Sequence, residues 1–340
     1  MAADDLALRF ARRLGALMPL AAFMIAAPAA AQETTPFRVG IAAQTVNMLP
    51  MWMAEAAGLF RARGLKVEIV NTDGGSRGLT AVSAGQLQAM NVGLSAVIDA
   101  NKKGGDLRLI ASSANTFSFG FFGAADVKGA ADLKGARVGI SSVGAESDTA
   151  VSLALKQLGL GRQDVTIVEA GATLKRLDGL RSGQIKATAL NEPANLLAQR
   201  DGLPRLVDLA EDVPWIFNGV VVNRAYLAAN RETVMRFLEA YIEGIHVALS
   251  DEERTKAVLA GEFKTLDPAV VKATYDDFKR RIPRDAEPSR KGAENMLTQL
   301  PALGAEVPSQ NVSDFVDATL IEELKGGPFF AGLKQKYRVD

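Results

Sequence analysis

The chain has 340 residues, in which 39 Lys+Arg balance 39 Asp+Glu, with one His and no Cys. With no basic block beyond the first residues, that balance excludes the charge footprint of a nucleic-acid-binding protein. The absence of Cys excludes disulfides, thiolate metal sites, cysteine nucleophiles and a lipid-attachment cysteine together. His246 lies inside a helical stretch with no carboxylate or cysteine motif around it. It is read as a core or surface residue, so no catalytic residue, metal ligand or cofactor is expected.

In chain order, Arg9, Arg12 and Arg13 precede an apolar run from Leu14 to Ala27, which is followed by Pro28 and Ala29-Ala30-Ala31. Charged, apolar and small residues in that order describe a secretory signal peptide, here 1–31 with cleavage after Ala31. The apolar run is shorter than the roughly 20 residues that span a bilayer. A periplasmic address without a lipid anchor is therefore expected, for a monomer. The mature chain beyond Ala31 is long enough for two lobes at roughly 100–200 residues per domain.

From Phe37, short apolar runs alternate with helical patterns, the signature of an α/β fold. FRVGIAA reads as a strand, LPMWMAEAAGLFRARG as one helix closed by Gly64, LKVEIVNT as a strand, SRGLTAVSAGQ as a short helix and MNVGLS as a strand. VIDANKKGG is a helix, and LRLIASSA and FSFGFFGAA are strands. A second set starts with the strand Arg137 to Ser141, continues with the helix SDTAVSLALKQLG capped by Ser147 or Asp148, and then gives DVTIVEA, LKRLDGLRSGQ and KATAL. Ser-Ala-Gly-Gln at Ser83–Gln86 is partly echoed by Ser-Gly-Gln at Ser182–Gln184, which suggests two similar lobes. From Tyr226 the pattern is mostly helical. Phe117–Gly123 and Gly219–Asn223 bracket the second set and are the expected lobe-crossing strands. The boundaries are 32–123 for the first part of lobe one, 124–218 for lobe two, and 219–340 for the return and the C-terminal helices.

The ordered motifs resemble the type II periplasmic binding proteins of the nitrate, sulfonate, taurine and thiamine-precursor group. The matching features are P-x-W-x-A-E-A-x-G-L-F-x-x-x-G-L-x-V from Pro50 to Val67, Gly74-Gly75-Ser76, A-x-x-A-G-Q ending at Gln86, and Asp132-Leu133-Lys134-Gly135 with V-G-I-S. G-Q-I-K-A-T-A-L and Asn191-Glu192-Pro193 complete the set. Lys186 departs from it, standing where that group has an acidic residue. The resemblance implies a two-lobed type II fold, each lobe a mainly parallel sheet flanked by helices, with a ligand cleft between the lobes. It also implies a binding component of an ATP-binding cassette importer whose partners are a small-molecule ligand and a membrane permease.

In such sheets the ligand lies beyond the carboxyl ends of the strands. Gln44, Asn47 and Leu49 come after the first strand. Gly75, Ser76 and Arg77 open the next helix, where free N–H groups and the helix dipole favour an anion; Arg77 is either a forked grip for a carboxylate or sulfonate or a solvated residue. Ser95 comes after the third strand. In the second set Ser142, Gly144 and Ala145 are implied contacts, while Glu146 is open to either reading. Asn191 and Glu192 come after the last strand, and Glu192 either receives a ligand amine or hydroxyl or pairs with an arginine. Phe117, Ser118, Trp215 and Asn218 sit at the crossovers, as ligand walls or as core. Trp52 and Phe60 are read as core. The expected ligand is an organic anion or zwitterion of sulfonate or aromatic carboxylate type, with a pyrimidine or flavin-like ring, or an enzyme on the same scaffold, as the alternatives.

Overall fold

The computed structural model describes residues 34–209, 214–264 and 267–339. The expected leader and its cleavage point after Ala31 lie outside the described residues.

The first lobe starts with β1 (Thr35–Ile41), α1 (Leu49–Ala56), α2 (Leu59–Ala62), β2 (Leu65–Asn71), α3 (Gly75–Ser83), β3 (Ala89–Val92), α4 (Leu94–Lys102) and β4 (Leu107–Thr116). The single helix expected over 49–64 is two, because Gly58 takes a left-handed φ of 70° between them, a conformation that costs glycine nothing. Trp52 and Phe60 are buried in the core. The second lobe comprises β5 (Gly120–Gly123), β6 (Arg137–Ile140), α5 (Glu146–Gln157), β7 (Thr166–Glu169), α6 (Thr173–Arg181), β8 (Ala187–Leu190), α7 (Ala194–Arg200) and β9 (Arg205–Asp208). The chain then returns through β10 (Pro214–Asn223) to α8 (Arg224–Ala229), α9 (Arg231–Ser250), α10 (Glu252–Phe263), α11 (Pro268–Arg281), α12 (Arg290–Ala302), α13 (Thr319–Gly326) and α14 (Phe329–Tyr337).

Each lobe is built on a five-stranded sheet, ordered β2-β1-β3-β10-β4 and β7-β6-β8-β5-β9. In both, the fourth strand in the order runs antiparallel to its two neighbours, so the other four share one direction. The topologies are identical once the exchanged strands are matched, which is the similarity that the partial Ser-Gly-Gln echo suggests.

Neither expected crossing strand spans the lobes. Gly120–Gly123 pairs wholly within the second sheet and Pro214–Asn223 wholly within the first. The outgoing link is Phe117-Ser118-Phe119. Trp215 and Asn218, expected at the return crossover, are strand residues of the first lobe.

One core packs the β1 side of the first sheet against α1 and α9, with Phe37, Phe60 and Phe237 stacked ring on ring. The other runs from α3 and α4 without a break into the second lobe. The rings of Phe117, Phe119, Trp215 and Phe217 make that bridge, with centroids 4.9–6.0 Å apart. Bulky rings interlocked at the junction hold the lobes in register through dispersion contacts that small side chains would not supply.

Candidate functional site: the cleft between the lobes

Both sheets direct the carboxyl ends of their parallel strands toward one cavity of about 60 Å³. From the first lobe it is lined by Ala42 and Ala43 after β1, Asn47, Gly75, Gly93 after β3, and Asn218. From the second lobe come Ser141 after β6, Ala145 and Glu146, Thr173 and Arg176 of α6, and Asn191 after β8. Phe119 and Phe217 provide aromatic wall.

Glu146 is the residue that joins the two sides. It opens α5 in the second lobe, yet its Oε1 accepts from the backbone N–H of Ser95 at 3.1 Å and its Oε2 from Trp215 Nε1 at 3.1 Å, both in the first lobe. The carboxylate thereby caps the N-terminus of α4, whose own cap residue, Gly93, has no side chain to do so. A Cβ on Gly93 would lie 2.1 Å from Glu146 Cγ, so the absence of a side chain there makes the socket. Burial pushes the carboxyl of Glu146 up to about 7, against the opposing pull of the two donors.

Further cross-lobe contacts run along the rim. Ser76 Oγ donates to Val143 O at 2.8 Å, Ser142 Oγ lies 3.4 Å from Ser76 Oγ, and Lys175 pairs with Asp73 at 2.7 Å. On the opposite flank Val46 N reaches Glu192 O at 3.5 Å.

Arg176 sits beneath the cavity, almost wholly buried. Its Nη1 donates to Gly171 O at 2.7 Å, its Nε to Thr188 Oγ1 at 3.1 Å, and its Nη2 to Ala189 O at 3.2 Å and Thr173 Oγ1 at 3.4 Å. Every one of these acceptors is neutral. Burial lowers its pKa to about 9, which leaves it cationic at neutral pH.

Among the residues expected at the site, Asn47, Gly75, Ala145, Asn191 and Asn218 line the cavity. Ser118 and Glu192, with Asn47 and Asn191 again, line a neighbouring void of about 10 Å³ against α11. There the buried Glu192 carboxylate accepts from Asn195 Nδ2 at 2.8 Å and Ser118 Oγ at 3.3 Å. Its pKa is raised by burial and by the nearby Asp277, and it forms no arginine salt bridge among the described residues. Ser95 and Gly144 face a separate groove between α4, α5 and α12. Ser76 and Ser142 belong to the rim, and Phe117 and Trp215 to the junction.

Three expectations are corrected. Arg77 is exposed and donates to Asp73 O, because Gly75 and Gly78 present the opposite face of α3 to Val92 and Met90 and turn residue 77 outward. Leu49 is core and Gln44 is half-buried, and neither lines the cavity. Ser147 and Asp148 do not cap α5: the N-cap is Ala145, while Ser147 Oγ accepts from Ser141 N at 2.9 Å and Asp148 accepts from Gly144 N and Arg162.

Sequence reasoning does not place Arg176 at the site, and it places Glu146 there only as one of two readings. A signal for Arg176 exists in the chain, since it shares the buried stripe of α6 with Thr173, Leu177 and Leu180. An arginine on an apolar stripe needs a polar destination.

The sequence profile described as NMT1/THI5 like matches residues 45–255, more than half of the chain. The chain belongs to the NMT1/THI5-like family. It is 29% identical over 245 residues to the riboflavin-binding protein RibY of Chloroflexus aurantiacus, an alignment covering 68% of each. The alkanesulfonate-binding protein SsuA of Xanthomonas axonopodis pv. citri, solved with MOPS bound, superposes with a TM-score of 0.69 at 19% identity, over 84% of this chain and 99% of that one. The periplasmic nitrate-binding protein NrtA of Synechocystis gives 0.70 at 14% identity, over 88% and 91%. The fold of this NMT1/THI5-like chain is thus the two-lobed periplasmic binding protein fold. Among the described residues no helix is long and apolar enough to cross a membrane.

Proposed function

We propose that this chain is the periplasmic solute-binding component of an ATP-binding cassette importer, and that it captures a small organic anion or zwitterion, of sulfonate or aromatic carboxylate type, by closure of its lobes. The observation that carries the proposal is Glu146. A residue of one lobe is seated in a socket of the other, beside a polar cavity that both lobes line, so engaging the latch and enclosing the cavity are one event. A ligand that contacts both walls only in this arrangement shifts the open–closed equilibrium toward closure by its differential affinity. A membrane permease reading the closed shape then receives only loaded protein.

The test combines fractionation, scattering and reconstitution. The mature chain is expected in the periplasmic fraction, its radius of gyration falls on ligand addition, and the loaded form stimulates ATP hydrolysis by its cognate permease–ATPase complex in proteoliposomes. A ligand that binds without closing the lobes or stimulating the ATPase sinks the importer reading. Chemical turnover of a bound compound replaces it with an enzyme.

Similarity to RibY supports a second reading, a flavin-like ligand lying against the wall that Phe119 and Phe217 form together. Quenching of riboflavin fluorescence on titration with the protein separates the two readings.

A further inference from the structure

Three helices point their N-termini at the cavity, and none has a side-chain cap: α3 after Gly74, α5 after Ala145 and α6 after Ala172. Neither Gly nor Ala carries a side-chain oxygen to accept from the first-turn N–H groups, as Ser, Thr, Asp or Asn would. Each terminus also presents about half a positive charge. Water could satisfy such termini, so on their own they select nothing.

Arg176 is the independent second feature. It lies at the same wall, 1% exposed, with neutral acceptors only, and among the described residues no carboxylate pairs with it. A buried cation without a counter-charge is strongly disfavoured; the four hydrogen bonds of Arg176 leave one N–H, on Nη1, undonated, so what it offers an oxyanion is its charge and a single donor. The wall also carries Glu146, whose two carboxyl oxygens already accept from Ser95 N–H and Trp215 Nε1, and an apolar stretch of Ala42, Met48, Val92, Phe119 and Phe217.

We infer that Arg176 and the uncapped N-termini of α3, α5 and α6 form an anion seat, and that the ligand places a single carboxylate or sulfonate there with its organic part against the apolar wall. This rests on the cleft being the capture site. The seat belongs mainly to the second lobe, with α3 brought over it by closure, so the anion itself helps to draw the lobes together.

The test uses methanesulfonate, its neutral isostere dimethyl sulfone, and nitrate, each titrated into the full-length protein with thermal shift and calorimetry as readouts. Methanesulfonate is expected to raise Tm, and the sulfone to leave it unchanged. Arg176→Gln, which removes the charge, weakens methanesulfonate by roughly 10- to 100-fold, and Arg176→Lys, which keeps it, weakens methanesulfonate less than Arg176→Gln does. Arg77→Ala leaves binding intact. Equal shifts with methanesulfonate and the sulfone, none included, overturn the inference, as does full affinity in Arg176→Gln. Nitrate binding as tightly as methanesulfonate overturns the organic part. Should Arg176→Gln fail to fold, anomalous scattering from bromide-soaked crystals decides, with a bromide beside the guanidinium expected and an empty guanidinium refuting. Methanesulfonate binding at Arg176 without lobe closure refutes the importer reading alone and leaves the anion seat standing.

Discussion

Glu146 makes the stability of the closed molecule depend on pH in a direction opposite to that of most carboxylates. In the unfolded chain its carboxyl ionises near its ordinary value of 4.5, whereas in the folded chain burial holds it at about 7. Below 4.5 it is protonated in both states and imposes no cost. Between 4.5 and about 7 the folded state binds a proton that the unfolded state does not, so stability falls by about 1.4 kcal/mol per pH unit, roughly 3 kcal/mol in all, and stays lowered above 7. Glu146→Gln has no proton to lose. It keeps one of the two cross-lobe hydrogen bonds and gives up the other, a loss of about 1 kcal/mol that does not vary with pH.

Urea unfolding of both proteins from about pH 4.5 to about pH 8 should therefore show the wild type losing roughly 3 kcal/mol relative to the variant as pH rises. Glu192, also raised by burial and by Asp277, titrates in both proteins and cancels in the difference. Parallel stability curves would refute the placement of Glu146 in a dry cross-lobe socket.

Gly93→Ala is expected to cost about 1–3 kcal/mol, because its new Cβ needs the space of Glu146 Cγ; in a Glu146→Ala background the cost should shrink, and a double-mutant cycle by urea unfolding measures the coupling. Glu243, although buried, is held down to about 2 by donors from Lys336, Tyr337 and Arg63. Its contribution is present above 4.5 and lost as pH falls through about 2. With the exposure of Lys336 discounted, Glu243→Gln should cost about 2 kcal/mol and raise amide exchange in α14. Lys175→Ala removes an exposed cross-lobe ion pair and should change stability by less than about 1 kcal/mol, read from the thermal midpoint.

Much of the fold is legible in the chain. Alternating strand and helix periods mark both sheets, and the Ser-Gly-Gln echo marks their kinship. The rule that ligands sit past the strand ends leads to Asn47, Gly75, Ala145, Asn191 and Asn218, all of them on the cavity wall. The rule says nothing about which way a side chain turns. Arg77 has the right chemistry on the wrong side of α3, while Arg176 lies inside the buried stripe that identifies α6 as a packed helix. Lys186, the departure from the family pattern, pairs with Asp126, away from the cleft.

The sequence by itself determined the order of elements, the two-sheet architecture and the family, because strand and helix periods and short motifs are local and each lobe repeats them. Only the tertiary structure brings Glu146 and Arg176 to the cavity between the lobes. Glu146 meets Ser95 and Trp215 across 51 and 69 positions of chain, from opposite lobes. Arg176 acquires its meaning from the lack of any carboxylate paired with it among the described residues. Both are properties of the space between two lobes, where packing brings together residues that no local period relates.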